Sequence, residues 1–165
     1  MSRRMVVDVA VCSGCRACEM ACSFQHEDAF SPPLSRVRVV KIEAEGLDRP
    51  VLCRGCVKAA CVEVCPTGAL TKDGVWGNPE LNSDECIGCG ACVEACPFGA
   101  MHLHPETGLA LVCDLCGGDP ACVKRCTPRA LRWGDPEEIA RSKRETRARA
   151  DVTAAAGDER AEVGV

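Results

Sequence analysis

Hydrophobic residues come along this chain in short runs, and neither helical nor strand periodicity lasts long in any of them. Val6 to Val11 alternates loosely with polar positions and predicts a short strand, with Arg3 and Arg4 as its solvated start. Val37 to Ile42 predicts another. Ala69 to Lys72 and Val75 to Gly77 flank Asp73-Gly74, and Met101 to His104 and Leu109 to Val112 flank Pro105 to Gly108. Each pair reads as a hairpin, because the intervening residues tolerate the backbone angles of a tight turn. Segments such as Val93-Glu94-Ala95 fit a single helical turn, which Pro66 and Pro97 help to end by withholding an N–H. Asp135-Pro136-Glu137-Glu138 predicts a helix start, with an N-cap residue, a proline and acids in the first turn. Ile139 is nearly the only large apolar residue before Val152, so that helix has no stripe with which to build a core. Residues 135–165 therefore read as a charged helical or flexible tail, either solvated or docked on a partner, with Ala154 to Val165 flexible.

Composition shows what is missing. Of 165 residues 47% are hydrophobic, but that class includes 16 cysteines, with only three Phe, two Trp and no Tyr. The bulky side chains that fill most cores are scarce, and something else must hold the fold. No apolar run approaches the roughly 18 residues of a membrane span. Ser2-Arg3-Arg4 superficially resembles a twin-arginine leader, but Asp8 interrupts the following apolar run and Cys12 comes almost at once. The expectation is a cytoplasmic protein with no membrane span. A formal charge of −4, without a basic stripe or aromatic stacking surface, points away from nucleic acid.

The cysteines form four groups of four: Cys12, Cys15, Cys18, Cys22; Cys53, Cys56, Cys61, Cys65; Cys86, Cys89, Cys92, Cys96; and Cys113, Cys116, Cys122, Cys126. Groups one and three have C-x2-C-x2-C-x3-C spacing, and the other two lengthen only the middle gap. Three closely spaced thiolates suit three corners of an iron–sulfur cubane, and in two-cluster ferredoxins the fourth cysteine of each run serves the other cluster. The arithmetic gives four [4Fe–4S] clusters. Structural zinc is the competing reading, but it normally takes two spaced pairs of ligands, and a reducing cytosol disfavours disulfides.

The segment from Val51 to Val112 reads as one bacterial-ferredoxin-like unit, which leaves groups one and four to each other. The expected ligand sets are therefore nested. Cys53, Cys56 and Cys61 join Cys96, and Cys86, Cys89 and Cys92 join Cys65. In the outer unit Cys12, Cys15 and Cys18 join Cys126, and Cys113, Cys116 and Cys122 join Cys22. The expected class is α+β: two nested dicluster units, small and loop-rich. The outer one comprises residues 1–52 plus 113–134, the inner one 53–112, and the tail follows.

These motifs, with Cys113-Asp114-Leu115-Cys116, Cys65-Pro66-Thr67-Gly68-Ala69-Leu70 and Cys96-Pro97-Phe98-Gly99-Ala100, resemble the four-cluster iron–sulfur electron-transfer subunits of the dimethyl sulfoxide reductase and formate dehydrogenase type. The resemblance covers roughly Val6 to Trp133 and implies the same nested pairing. Cys18-Glu19-Met20-Ala21-Cys22-Ser23, His26, Pro32-Pro33 and Ser35-Arg36-Val37-Arg38-Val39 look most like the small iron–sulfur subunit of a tungsten-dependent aldehyde oxidoreductase. That likeness implies a tungstopterin catalytic partner and a flavin/NAD subunit or ferredoxin. A hydrogenase, carbon monoxide dehydrogenase or formate dehydrogenase system is the alternative, and copies could associate into a longer relay. Two exits depart from the family pattern: Ser23 follows Cys22 where proline is usual, and Thr127-Pro128-Arg129 follows Cys126, with Arg where Gly is usual.

The chain itself offers no active site. It has no G-x-G-x-x-G after a strand, no carboxylate pair set for acid–base work, and no cluster left with an open corner. Arg16, Arg54, Lys58, Lys124, Arg125 and Arg129 stand in or beside cysteine loops as solvated charges or as groups that raise a cluster's potential. His26, His102 and His104 are not needed as ligands, and His102 and His104 are expected to share a strand face. Glu19, Glu63, Glu94 and Asp114 read as solubilising or amide-capping groups.

Overall fold

The computed structural model describes residues 3–145 together with 147 and 148. Two units result, one from Arg4 to Trp133 and a second whose described residues are 3, 134–145, 147 and 148. In the second, residues 136–145 are helical. Asp135 caps that helix as expected, its Oδ1 accepting from Glu137 N at 2.9 Å and its carbonyl from Ile139 N at 3.0 Å. The segment from Ala154 to Val165 lies outside the described residues. Among the described residues no helix is long and apolar enough to cross a membrane.

The larger unit consists of short helices and four two-stranded sheets. Strand β1 (Arg4–Val7) pairs with β8 (Leu131–Gly134), and β2 (Arg38–Ile42) pairs antiparallel with β3 (Leu47–Val51). Two further antiparallel hairpins join β4 (Leu70–Lys72) to β5 (Pro79–Leu81) and β6 (His102–Leu103) to β7 (Ala110–Leu111). Two-stranded sheets are marginal alone, so they depend on what they pack against. That is the cysteine loops and the helices α1 (Ala17–Glu27), α2 (Ala60–Glu63), α3 (Ala91–Ala95) and α4 (Ala121–Lys124).

Buried residues separate into two cores. Met5, Val37, Val39, Leu52, Leu115 and Leu131 surround Cys18, Cys22 and Cys122, while Leu70, Met101, Ala110 and Val112 surround Cys61 and Cys92. Trp76 and Trp133 meet edge-on at 5.5 Å beside the first core. Sulfur thus occupies core positions that aromatic residues would fill elsewhere.

Several expectations shift. The first strand stops at Val7, and Val9–Val11 is a 3-10 turn. The partner of β4 is Pro79–Leu81 and not Val75 to Gly77. The Asp73 carboxylate accepts from Val75 N at 2.9 Å and Trp76 N at 2.6 Å, which winds those residues into the turn. His102 lies on β6, but His104 lies past its end, where its Nδ1 accepts from Glu106 N and Thr107 N, both at 3.2 Å. Strand β3 and the length of α1 were not foreseen.

The two unusual exits have local explanations. Ser23 is fully buried; its Oγ donates to Met20 O at 3.2 Å and accepts from Ser31 N at 3.1 Å. A proline there would break α1, which runs on to Glu27. After the other three runs the chain makes one common turn, with Gly68 (φ 71°), Gly99 (φ 61°) and Arg129 (φ 57°) at equivalent left-handed positions. Arg129 N donates to Cys126 O at 3.0 Å, as Gly99 N does to Cys96 O at 3.1 Å. An L-residue in that conformation costs about 1–2 kcal/mol, partly offset by the entropy a glycine would lose. Arg129→Gly is therefore expected to stabilise the protein by about 0.5–1 kcal/mol, read as a raised anaerobic thermal midpoint.

Candidate metal centres

The four cysteine runs follow one local plan. The first two cysteines precede a helix that carries the third, and the segment up to that helix contains left-handed residues: Gly14 and Arg16, Gly55, Gly88 and Gly90, and Leu115 and Cys116. These turns aim successive side chains inward. A helical turn then separates the third cysteine from the fourth: α1 carries both Cys18 and Cys22, while α2, α3 and α4 lead from Cys61, Cys92 and Cys122 towards Cys65, Cys96 and Cys126.

All sixteen thiols are free of disulfides, and the four expected ligand sets are labelled site I (Cys12, Cys15, Cys18, Cys126), site II (Cys22, Cys113, Cys116, Cys122), site III (Cys53, Cys56, Cys61, Cys96) and site IV (Cys65, Cys86, Cys89, Cys92). At site I, Cys18 is pushed up to about 12 by burial and then by Glu19, with the Cys126 and Cys15 thiols adding to the effect; Cys12 begins the same loop. At site II, burial raises Cys122, and Cys22 and Cys116 reinforce it. Cys113 is likewise driven up by burial, with Cys122 and Cys22 among its neighbours. At site III, Cys53 is pushed up to about 11 by burial and by Cys61, Cys56 and Cys96, against the Gly55 N–H. At site IV, burial raises Cys92, with Cys86 and Cys89 adjoining, and Cys65 lines the same recess. Thiols of different sites also face one another: Cys18 and Cys122, Cys113 and Cys53, and Cys61 and Cys92. With the expected ligand sets, these neighbours give the order I, II, III, IV.

The fourth cysteine of each run receives N–H donors. Leu131 N reaches Cys126 Sγ, Arg36 N reaches Cys22 Sγ and Ala100 N reaches Cys96 Sγ, each at 3.3 Å. At Cys65, slight burial would raise the thiol, but the Leu70 N–H, the Thr67 hydroxyl and further backbone N–H groups lower it below the usual thiol range. Because α1 does not stop after Cys22, the donor to that sulfur comes from a residue on a later loop.

This donor chemistry fits a cationic, sulfur-liganded group. Four crowded thiols resist ionisation unless positive charge is supplied, and their oriented N–H groups favour anionic sulfur. Arg36 adds a pointed observation. Its Nε donates to Val112 O and its Nη2 to Glu27 Oε1, both at 3.1 Å, while Nη1 is buried without a hydrogen-bond partner. It shares a recess with Cys22, Cys113, Cys116 and Cys122.

Other charged candidates sort by contact. Glu19 is buried and its Oε1 accepts from Val39 N at 2.6 Å, so it caps an amide and ties α1 to β2. Asp114 Oδ1 accepts from Cys116 N at 2.9 Å. Glu63 and Glu94 are exposed. Arg54 lies over the Phe98 ring at 5.6 Å, Lys124 pairs with Asp119, and the Arg16 Nε is 4.0 Å from Glu19. Sequence reasoning missed Arg36 as a group beside site II and His26 as a neighbour of Cys116, although the C-x3-C-x3-H spacing on one helix signals the latter.

Comparison with known proteins gives a consistent likeness. A 4Fe–4S dicluster domain family matches residues 52–100, and a 4Fe–4S binding domain family matches residues 10–25. The polyferredoxin-like subunit of an aliphatic sulfonate oxidoreductase from Pyrococcus furiosus is 44% identical over 115 residues, 70% of this chain and 66% of that protein. This chain thus spans just under two thirds of that relative. The thiosulfate reductase electron transfer subunit PhsB of Salmonella typhi is 38% identical over 152 residues, 83% of this chain and 79% of PhsB. Among solved structures, a chain of the active site complex BamBC of benzoyl coenzyme A reductase has a TM-score of 0.49 at 29% identity, covering 94% of this chain and 97% of that one.

Proposed function

Because the chain belongs to the family of 4Fe–4S ferredoxin-like electron-transfer subunits, we propose that it relays single electrons through four clusters held at sites I to IV. The observation that supports this reading is the approach of thiols from different runs: Cys18 near Cys126, Cys122 near Cys22, Cys53 near Cys96, and Cys65 in one recess with Cys86, Cys89 and Cys92. When bound, the clusters supply one-electron redox chemistry. Cys12, Cys15, Cys18 and Cys126 are the ligands of site I, and Cys22, Cys113, Cys116 and Cys122 those of site II. Cys53, Cys56, Cys61 and Cys96 hold site III, and Cys65, Cys86, Cys89 and Cys92 hold site IV. The two buried cores support a division into an outer unit around sites I and II and an inner unit around III and IV.

The protein's own part is to fix the ligands, to direct N–H groups at sulfur, and to leave the terminal sites accessible. Cys15 at site I and Cys89 at site IV are the two exposed thiols, which suits transfer to a partner at each end. Phe24 and Phe30 stack at 4.7 Å on the surface near site I and suit a protein–protein contact. The catalytic partner is a tungstopterin aldehyde oxidoreductase-type subunit, and a flavin/NAD subunit or ferredoxin meets the other end in the cytoplasm. Support for that partner rests on the Cys18–Val39 segment.

Anaerobic purification from the native host, with analysis of iron, zinc and tungsten, tests the proposal. About sixteen irons per chain with stoichiometric tungsten in a large partner is the expected result. Nickel in place of tungsten would keep the relay and move it to a hydrogenase or carbon monoxide system. Zinc without iron would overturn it.

A further inference from the structure

Site II differs from the others in having a side-chain ring against one of its sulfurs. His26 Nε2 lies 3.5 Å from Cys116 Sγ and 3.4 Å from Asp114 Oδ1. The Asp114 carboxylate accepts hydrogen bonds, as the Cys116 sulfur does when it ligates metal, and the same Asp114 oxygen accepts from Cys116 N at 2.9 Å. Two acceptors converging on one ring nitrogen select the tautomer that carries its hydrogen there. The ring is held by its place on α1, one turn beyond Cys22, with its side chain only 14% exposed. A mononuclear metal held by His26, Asp114 and Cys116 is the competing use of this trio, but Cys116 is already required by site II.

We propose that His26 is a positioning residue that donates Nε2–H to the Cys116 sulfur and thereby raises the reduction potential of the cluster at site II. The inference rests on the cluster reading above. Reduction adds one electron to a cluster whose ligands are already anionic, and a hydrogen bond to sulfur stabilises the more negative state. Elsewhere among the described residues, the donors to cysteine sulfur are backbone N–H groups and the Thr67 hydroxyl. The buried guanidinium of Arg36 acts in the same direction at the same recess. No proton is gained or lost by His26 in this role. The consequence is a relay with a preferred resting place for the electron at its second position.

The test is an EPR-monitored redox titration of the full chain with its bound partner. His26→Leu is expected to make one cluster about tenfold harder to reduce at a fixed poise, a shift of about 59 mV for one electron. The other clusters should stay near their native values. His26→Gln, whose amide can donate to the same sulfur, should recover most of the loss. With histidine labelled by nitrogen-15, pulsed EPR of the native protein should detect coupling from a ring nitrogen to one reduced cluster. Full iron with unchanged potentials in His26→Leu would overturn the inference, and so would absence of that coupling in the native protein, even if the Leu variant failed to assemble. Absence of iron from the native chain would instead overturn the cluster reading itself.

Discussion

Replacing Cys122 with alanine is expected to remove about four of roughly sixteen irons per chain and to cut electron delivery through the complex by more than tenfold. Cys122 is buried at the start of α4, beside Cys22 and Cys116, and faces Cys18 of site I across the helix pair. Alanine leaves a vacancy in the proposed ligand set, with no cysteine in the sequence outside the four proposed sets to fill it. In the proposed relay site II stands between I and III, so its loss separates site I from the rest. Iron content and stopped-flow reduction by the native partner measure the two effects independently. An alanine variant with full iron and native transfer would contradict the assignment of this cysteine and the order of the sites together.

Gly88→Ala should be nearly as damaging, through the backbone. Gly88 has φ +66°, and a Cβ there would stand 2.7 Å from Gly108 O. The left-handed strain costs about 1–2 kcal/mol. The clash adds more, because Gly108 closes the turn between β6 and β7 and its N is held by His104 O at 2.9 Å. A loss of about 2–4 kcal/mol follows, with iron released first from the site formed by Cys65, Cys86, Cys89 and Cys92. Gly99→Ala is the control. Its φ is +61°, but nothing lies within 4 Å of a Cβ there, so only strain of about 1 kcal/mol remains. Anaerobic thermal unfolding of the two variants, with iron counted after each step, separates the effects; equal midpoints would show that the Gly108 contact relaxes freely.

The helical turn between the third and fourth cysteines of a run was legible, since it is decided within a short sequence interval. The hairpin around Pro105 to Gly108 and the cap at Asp135 were legible for the same reason: each is decided within a few residues. What escaped was decided at longer range. Helix α1 persists past Cys22 because Ser23 finds partners in Met20 and Ser31, and the second cannot be inferred from local pattern. Strand β3 contains Asp48, Arg49 and Pro50, which argue against a strand, but pairing with β2 overrides them. Glu19 reads from sequence as a solubilising or amide-capping group, and which of the two it is depends on Val39, twenty residues away, whose N–H it caps. His26 was set aside once the ligands were counted, although a residue can matter to a metal centre without binding it.

The helical turn between the third and fourth cysteines of every run has a mechanical consequence. In the proposed ligand sets those two cysteines belong to different sites, so α1 and α4, which pack on each other, would cross-brace sites I and II, and α2 and α3 would do the same for III and IV. Among the described residues no helix spans II and III. There the ties are Asn78 Nδ2 to Cys113 O at 2.8 Å, Arg36 Nε to Val112 O at 3.1 Å and the edge-on contact of Trp76 with Trp133 at 5.5 Å, so helical bracing gives way in the middle to two hydrogen bonds and one ring contact.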